Sequence, residues 1–301
     1  MSRIEYAQRM NRVLDYLDAH LAEPLDLDRL ADVTNFSRFH FHRVFAAWLG
    51  ETVGSYVRRR RLEVAAMRLD ADPGLAILEV AVLVGFGSAE AFARAFKDQF
   101  RLPPSVWRDQ APARRQAWLA QLASQRAQLR NGDQIDGNGD QVSTGVAGQN
   151  GDSHHPVQRF AMQVNVTHFS PVRNAYSRHH GPYGPTIGNF WREQFLPWAA
   201  ANDLGDRVCY RIGHDDPSLT AAEKCRYDAC CEVPDGFTGG AKANLTTLPG
   251  GRYAVAQFKG SSANIGEAWS ELFRIWLPTS GYVCDERPCF ERYLDKRVTT
   301  Q

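Results

Sequence analysis

Residues 37–45 read SRFHFHRVF, from Ser37 to Phe45. At ~100° per residue on a helix, Phe41, Val44, Phe45 and Trp48 share one side and form an apolar stripe suited to a core. Arg38, Phe39, His42 and Arg43 are left on the opposite side. Ser37 stands where an N-cap belongs. A helix start offers unpaired backbone N–H groups to phosphate. An outward Phe suits a thymine methyl, and Arg and His can donate to base edges. The stretch therefore predicts a helix laid in the major groove of DNA, which accounts for the outward Phe and the arginines together.

Working outward, the preceding DLDRLADV opens on a capping Asp26, and a tight turn separates it from Ser37. Downstream, VGSYVRRRRLEVAAMRL predicts a longer helix with Leu62, Ala65, Ala66 and Leu69 on one face. The pattern then repeats: AILEVAVLV, a GFGS turn, and AEAFARAFKDQF capped by Ser88. The aromatic pair Phe41/Phe45 has its counterpart in Phe92/Phe96. Short helix, turn, capped helix is the helix-turn-helix arrangement, and it occurs twice. Arg58–Arg61 invite a DNA-patch reading. Four consecutive helical residues spread around the whole circumference, so one or two at most face a phosphate backbone together.

The chain has 301 residues, enough for two domains. Residues 1–130 hold 19 Lys+Arg against 15 Asp+Glu, whereas 131–301 hold 16 against 19. A modestly basic first half suits a nucleic-acid partner. No stretch matches a membrane span or a secretory signal, so no membrane association is expected and the cytoplasm, on the bacterial nucleoid when DNA-bound, is the expected location. All six cysteines lie in the second half without C-x-x-C spacing. They read as small buried hydrophobes rather than metal ligands or disulfides. His40/His42, His154–His155 and His179–His180 lack a ligand pattern, so no metal and no cofactor are expected.

Residues 131–156, NGDQIDGNGDQVSTGVAGQNGDSHHP, read as a flexible linker. Beyond them the texture turns to strands: FAMQVNVTHF, RNAYSRHHG, RVCYRIGHD, KCRYDACCEV, RYAVAQFKG and PCFERYL. Two helices interrupt them, TIGNFWREQFLPWAAAN and NIGEAWSELFRIWLPTSG. An internal repeat at an offset of 79 relates Arg173 to Arg252, Gly181 to Gly260 and Phe190 to Trp269. Two related halves would leave a cleft between them, a common place for a small ligand.

The run LADVTNFSRFHFHRVFAAWLGETVGSYVRRRRLEVAAMRL, with AILEVAVLVGFGSAEAFARAFKDQFRLPPSVWR, resembles the double helix-turn-helix domain of AraC/XylS-type transcription regulators over about residues 6–109. The resemblance implies two reading helices held by a linking helix, here Ser55–Leu69, about 22 Å long. Carried across, the base-contacting positions fall on Phe39, His42 and Arg43, and on Ala89, Glu90, Ala93 and Arg94. Ser37, Arg38, Ser88 and Lys97 complete the candidate DNA-binding set. Because two of the second helix's positions are alanine, the first helix is expected to supply most of the specificity.

The later motifs SRHHGPYGPTIGNFW, KCRYDACCEVP, AWSELFRIWLPTSGY and PCFERYLD resemble the GyrI-like small-molecule-binding domain of Rob-like regulators over about residues 157–297. That resemblance implies an aromatic cleft with an acid that receives cationic, lipophilic compounds. The matching acid is Glu291, and Phe190, Tyr227 and Trp269 are the candidate walls. The expected architecture is thus an all-α double helix-turn-helix (1–112), a helical extension and linker (113–156), and an α+β domain of two pseudo-twofold-related βαββ-type repeats (157–301). The expected function is a transcription regulator, not an enzyme, that binds double-stranded promoter DNA and a small-molecule effector, with RNA polymerase as a further partner. The alternatives are a GyrI-like hydrolase with Glu291 as base, and a protein-binding C-terminal module.

Overall fold

The computed structural model describes residues 3–117, 120, 163–238, 243–258, 265–282, 284–285 and 287–293. The expected linker, with His154–His155, lies outside the described residues. The first helix, α1 (Arg3–Ala19), precedes the first helix-turn-helix. Asp26 caps α2 (Leu27–Thr34) by accepting from the backbone N–H groups of Asp28 and Arg29. The chain then turns through Asn35, left-handed at φ +52°, a conformation that Asn tolerates better than most residues. Ser37 caps α3 (Arg38–Leu49), its hydroxyl accepting from His40 N–H.

Thr52 opens α4 (Val53–Ala71). The second unit follows the first closely. α5 (Ile77–Leu83) leads through Gly85, at φ +81°, to Ser88, which caps α6 (Ala89–Phe100) by accepting from Ala91 N–H. α7 (Pro104–Asp109) closes the set.

The helix α4 belongs to both units. Val53, Tyr56 and Val57 pack with Met10, Leu14, Phe41 and Phe45. Two turns on, Leu62, Ala65, Ala66 and Leu69 pack with Val80, Phe92 and Phe96. Both aromatic pairs are fully buried, each ring stabilising the fold by roughly 1.5–3 kcal/mol. At 19 residues α4 is about 28 Å long, so it fixes the separation of the two units.

The second half is built on strands β1 (Val164–Phe169), β2 (Val172–His180), β3 (Cys209–Gly213), β4 (Arg226–Glu232), β5 (Asn244–Leu248), β6 (Gly251–Ala256) and β7 (Phe290–Tyr293). Five of them form an antiparallel sheet in the order β5-β2-β4-β3-β7, and β1 pairs with β6 apart from it. Six of the seven lie in segments expected to be strands; β5 was not expected.

The two expected helices are present, and they share an irregularity. α8 (Pro185–Phe190) passes through a π-helical segment, Trp191–Phe195, into α9 (Leu196–Ala201). α10 (Ile265–Glu271) passes through Leu272–Trp276 into α11 (Leu277–Ser280). In each, a Leu-Pro step, Leu196-Pro197 or Leu277-Pro278, follows the widened turn. Proline has no N–H to continue the ladder, and a π-bulge accommodates the gap. Superposing these steps places Phe190 opposite Glu271, not Trp269, so the repeat spacing read from the strands slips within the helices.

Side chains alternate across β4, and this organises the domain. Tyr227, Ala229 and Cys231 face a core with Trp191, Phe195 and Trp198. Arg226 and Asp228 face the helical half. All six cysteines are free; Cys225, Cys230 and Cys231 are buried as expected of small hydrophobes, whereas Cys284 is exposed. Among the described residues no helix is long and apolar enough to cross a membrane, and no cluster of three or more His, Cys, Asp or Glu is placed to hold a metal ion.

Candidate functional sites and the family

The outer face of α3 is open. Phe39 is 75% exposed although it is a large apolar side chain. Arg38 and Arg43 are exposed beside it, and His42 is half-buried. Ser37, spent on the cap, leaves the other first-turn N–H groups facing outward. On α6, Glu90, Arg94 and Lys97 are exposed and Ser88 is half-buried. Ala89 and Ala93 occupy the places that Arg38 and His42 hold on α3. The Glu90 carboxyl is held below its usual range by its own backbone N–H and the Ser88 hydroxyl, so it is ionised and accepts rather than donates.

The arginine run is used structurally. Arg58 makes an exposed bridge to Asp98 at 3.4 Å. Arg59 binds Glu51 at 2.7 Å and Glu63 at 3.0 Å. Arg60 reaches Glu63 at 3.0 Å and Asp215 at 2.7 Å. Arg61 donates to the carbonyls of Leu21, Gly85 and Glu23. Three of the four thus hold the fold together, and a phosphate-binding patch is not what they form.

In the strand-rich half, Glu291 Oε1 accepts from Trp269 Nε1 at 2.9 Å, and Oε2 from Tyr293 OH at 2.6 Å. Trp269 and Glu291 are both half-buried. Tyr227 is nearly buried beneath them, its hydroxyl accepting from Trp191 Nε1 at 2.9 Å. Burial pushes the Tyr227 phenol well above its usual range, so it stays neutral. Phe190 is not a wall. It lies in the core, 5% exposed, with its ring 5.5 Å from His179. Its neighbour Trp191 is fully buried and packs from that core toward the Tyr293 ring, 6.4 Å between centroids. Sequence reasoning also missed Arg211 on β3, whose guanidinium carbon stands 4.5 Å from the Tyr293 ring centroid and 5.1 Å from that of Trp191. Its signal was present: Arg211 alternates with the buried Tyr210 and Ile212 and so must point to the opposite face.

The halves touch through a buried network. Arg226 donates to Asp18 at 2.6 Å, to Tyr56 OH at 2.5 Å and to Asp215 at 2.9 Å. Arg178 joins Asp228 at 2.7 Å to Asp15 at 2.8 Å, and Tyr176 OH donates to Asp15. Lys224 meets Glu51 at 3.0 Å, and Asn244 donates to the Gln8 carbonyl at 2.9 Å. Burial works to raise the Asp18 carboxyl, but Arg226 and Arg60 override it and hold the pKa near 2. Asp215 and Asp228 are depressed as well, by Arg226 and Arg178 respectively, against their own burial.

Paired capped helices on a shared spine, followed by a sheet that carries an acid held by aromatic side chains, define a class: a helix-turn-helix protein with an appended α+β domain. Comparison with known proteins supplies the particular family. Residues 30–110 match the model of a helix-turn-helix domain, and residues 162–301 match the GyrI-like small molecule binding domain. The SPbeta prophage-derived regulator YosT of Bacillus subtilis (strain 168) is 30% identical over 138 residues, 46% of this chain and 92% of that protein. The Right origin-binding protein of Escherichia coli (strain K12) is 40% identical over 98 residues, 32% of this chain and 33% of that protein. The matched region therefore spans about a third of that relative's length. Among solved structures, the DNA-binding domain of AdpA in complex with a target DNA is 29% identical, covers 36% of this chain and 96% of that one, and has a TM-score of 0.33. The chain belongs to the AraC-type helix-turn-helix regulators that carry a C-terminal GyrI-like domain.

Proposed function

We propose that the helical half (1–112) binds double-stranded promoter DNA through α3 and α6, and that the strand-rich half (157–301) holds a small lipophilic effector beside Glu291. The observation that carries the DNA reading is Phe39, 75% exposed on a capped helix between two exposed arginines. A solvent-facing Phe is unfavourable in the free protein and gains from a thymine methyl in the groove. α3 supplies most of the sequence reading, since α6 offers Arg94 as its strong donor, Glu90 as an acceptor and Lys97 for phosphate.

Family membership favours a regulator over a hydrolase. Trp269 and Tyr293 already engage Glu291, which speaks against its serving as a general base. RNA polymerase is the further partner that a promoter-bound regulator would address, in the cytoplasm on the nucleoid.

The test is selection of a binding site from random duplexes, followed by fluorescence anisotropy. Arg43→Ala is expected to lose about 1–3 kcal/mol on the selected site and to relax preference at one base position. Arg94→Ala is expected to change preference less. Equal loss of discrimination in both variants would remove the unequal division of labour, and unselective binding by the wild type would remove the DNA-reading assignment.

A further inference from the structure

The cleft beside Glu291 has its own cation, and this decides what it can accept. Arg211 is 9% exposed, and its Nε is buried without a hydrogen-bond partner. Among the described residues its terminal nitrogens donate to no oxygen, and it forms no ion pair with a carboxylate. The other arginines buried in this domain are different: Arg178 has Asp228 and Asp15, and Arg226 has Asp215 and Asp18. Arg211 pairs across the ladder with Glu291, so the two side chains share a face of the sheet. Yet Glu291 is held by Trp269 and Tyr293. The result is an acid with donors already in place next to a guanidinium with its donors unused. A buried guanidinium N–H without an acceptor is costly, and here it is Nε that lacks one.

We propose that Arg211 anchors the effector, and that the effector is a planar aromatic carboxylate rather than an organic cation. This rests on the reading of the cleft as the effector site. A carboxylate supplies the acceptors that the guanidinium lacks, in the fork geometry that arginine favours. Its ring lies against the half-buried Tyr293 and Trp269, with Arg211 over the Tyr293 ring. An ammonium supplies no acceptor. It adds a like charge beside Arg211, whose guanidinium already occupies the two ring faces where a cation would gain most.

Isothermal titration of the full chain with three probes of one shape tests this: 2-naphthoate, 2-naphthamide and trimethyl-2-naphthylammonium. The naphthoate is expected to bind at least about tenfold more tightly than the ammonium, with the amide between. Arg211→Gln should reduce naphthoate affinity about tenfold or more and the amide's by less, while Arg211→Lys retains part of the preference. Glu291→Gln should leave the naphthoate bound or tighten it. Preference for the ammonium in the wild type, lost in Glu291→Gln, would overturn the charge assignment and leave the cleft as the effector site. Affinities that respond to neither Arg211 nor Glu291, or no binding of any probe, would overturn both. The wild-type ranking alone decides the charge class if a variant does not fold.

Discussion

Adjacent residues in this chain are often sent to opposite duties, and His179-His180 is the clearest case. His179 faces the Phe190 ring in the domain core. His180 faces the helical half, lining a cavity of about 360 Å³ with Trp48, Glu51, Tyr56 and Arg226. Burial, with Arg178 and Arg226 nearby, pushes its imidazole down to about 4. In the unfolded chain His takes its proton near 6.5. Between these values the unfolded state binds more protons, so stability is fully present above about pH 6.5 and falls toward pH 4. The bound on this effect is roughly 3 kcal/mol, and less in practice because the ring is partly open to solvent. His180→Gln should therefore flatten the change in denaturation midpoint between pH 7 and pH 5. Identical pH dependence in the two proteins would show that His180 does not contribute. Sequence spacing could tell that the two rings point apart, but not which one meets the other domain.

At the level of elements, the two helix-turn-helix units differ in how their turns are made. Asn35 turns the first at φ +52°, and Gly85 turns the second at φ +81°. A Cβ added to Gly85 would lie 2.5 Å from the Ala22 carbonyl oxygen and 2.8 Å from the Ala22 carbonyl and α carbons. That neighbour is backbone and cannot rotate away. Gly85→Ala is expected to destabilise the helical half by at least about 2 kcal/mol, whereas Asn35→Gly should cost a few tenths. Urea denaturation of both variants compares them directly, and similar midpoints would refute the contrast. Both helix-turn-helix units were legible in sequence because their signals are local: Asp26, Ser37 and Ser88 as caps, and apolar residues at helical spacing. The edge strand β5 was not. Its NLTTL segment buries Asn244 and Leu248 at its ends, and its pairing with β2 comes from a partner some 70 residues away in sequence. The π-segments were likewise hidden, although Pro197 and Pro278 marked where each ladder must break.

Across the whole molecule, the least legible feature is the contact between the halves. Arg60 and Asp215, or Asp18 and Arg226, are too far apart in sequence for any local pattern to join them. The halves touch directly. The contact falls on α1 and on α4, the spine that sets the spacing of α3 and α6. On the other side, β4 carries Arg226 and Asp228 toward that spine and Tyr227 toward Trp191 on the opposite face. A shift of β4 on effector binding would therefore be felt at α4 through largely buried ion pairs. Removing one member leaves buried charge uncompensated, at a typical cost of 3–5 kcal/mol. Asp215→Ala should undock the halves and split one thermal unfolding transition into two, whereas Asp15→Ala, whose side chain is 37% exposed, should cost about 1 kcal/mol or less. Acid should act similarly: with Asp18 near 2 and Asp215 lower, the carboxylates' contribution holds above about pH 4 and is lost as pH falls through the folded-state values. The same variant tests coupling. In the wild type, a probe bound in the cleft should shift DNA affinity by about 1–3 kcal/mol, the usual range for linked sites. In Asp215→Ala, the probe and the DNA should each still bind, but neither should alter the other's affinity. A full shift persisting in the undocked variant would mean that the signal does not pass through this contact.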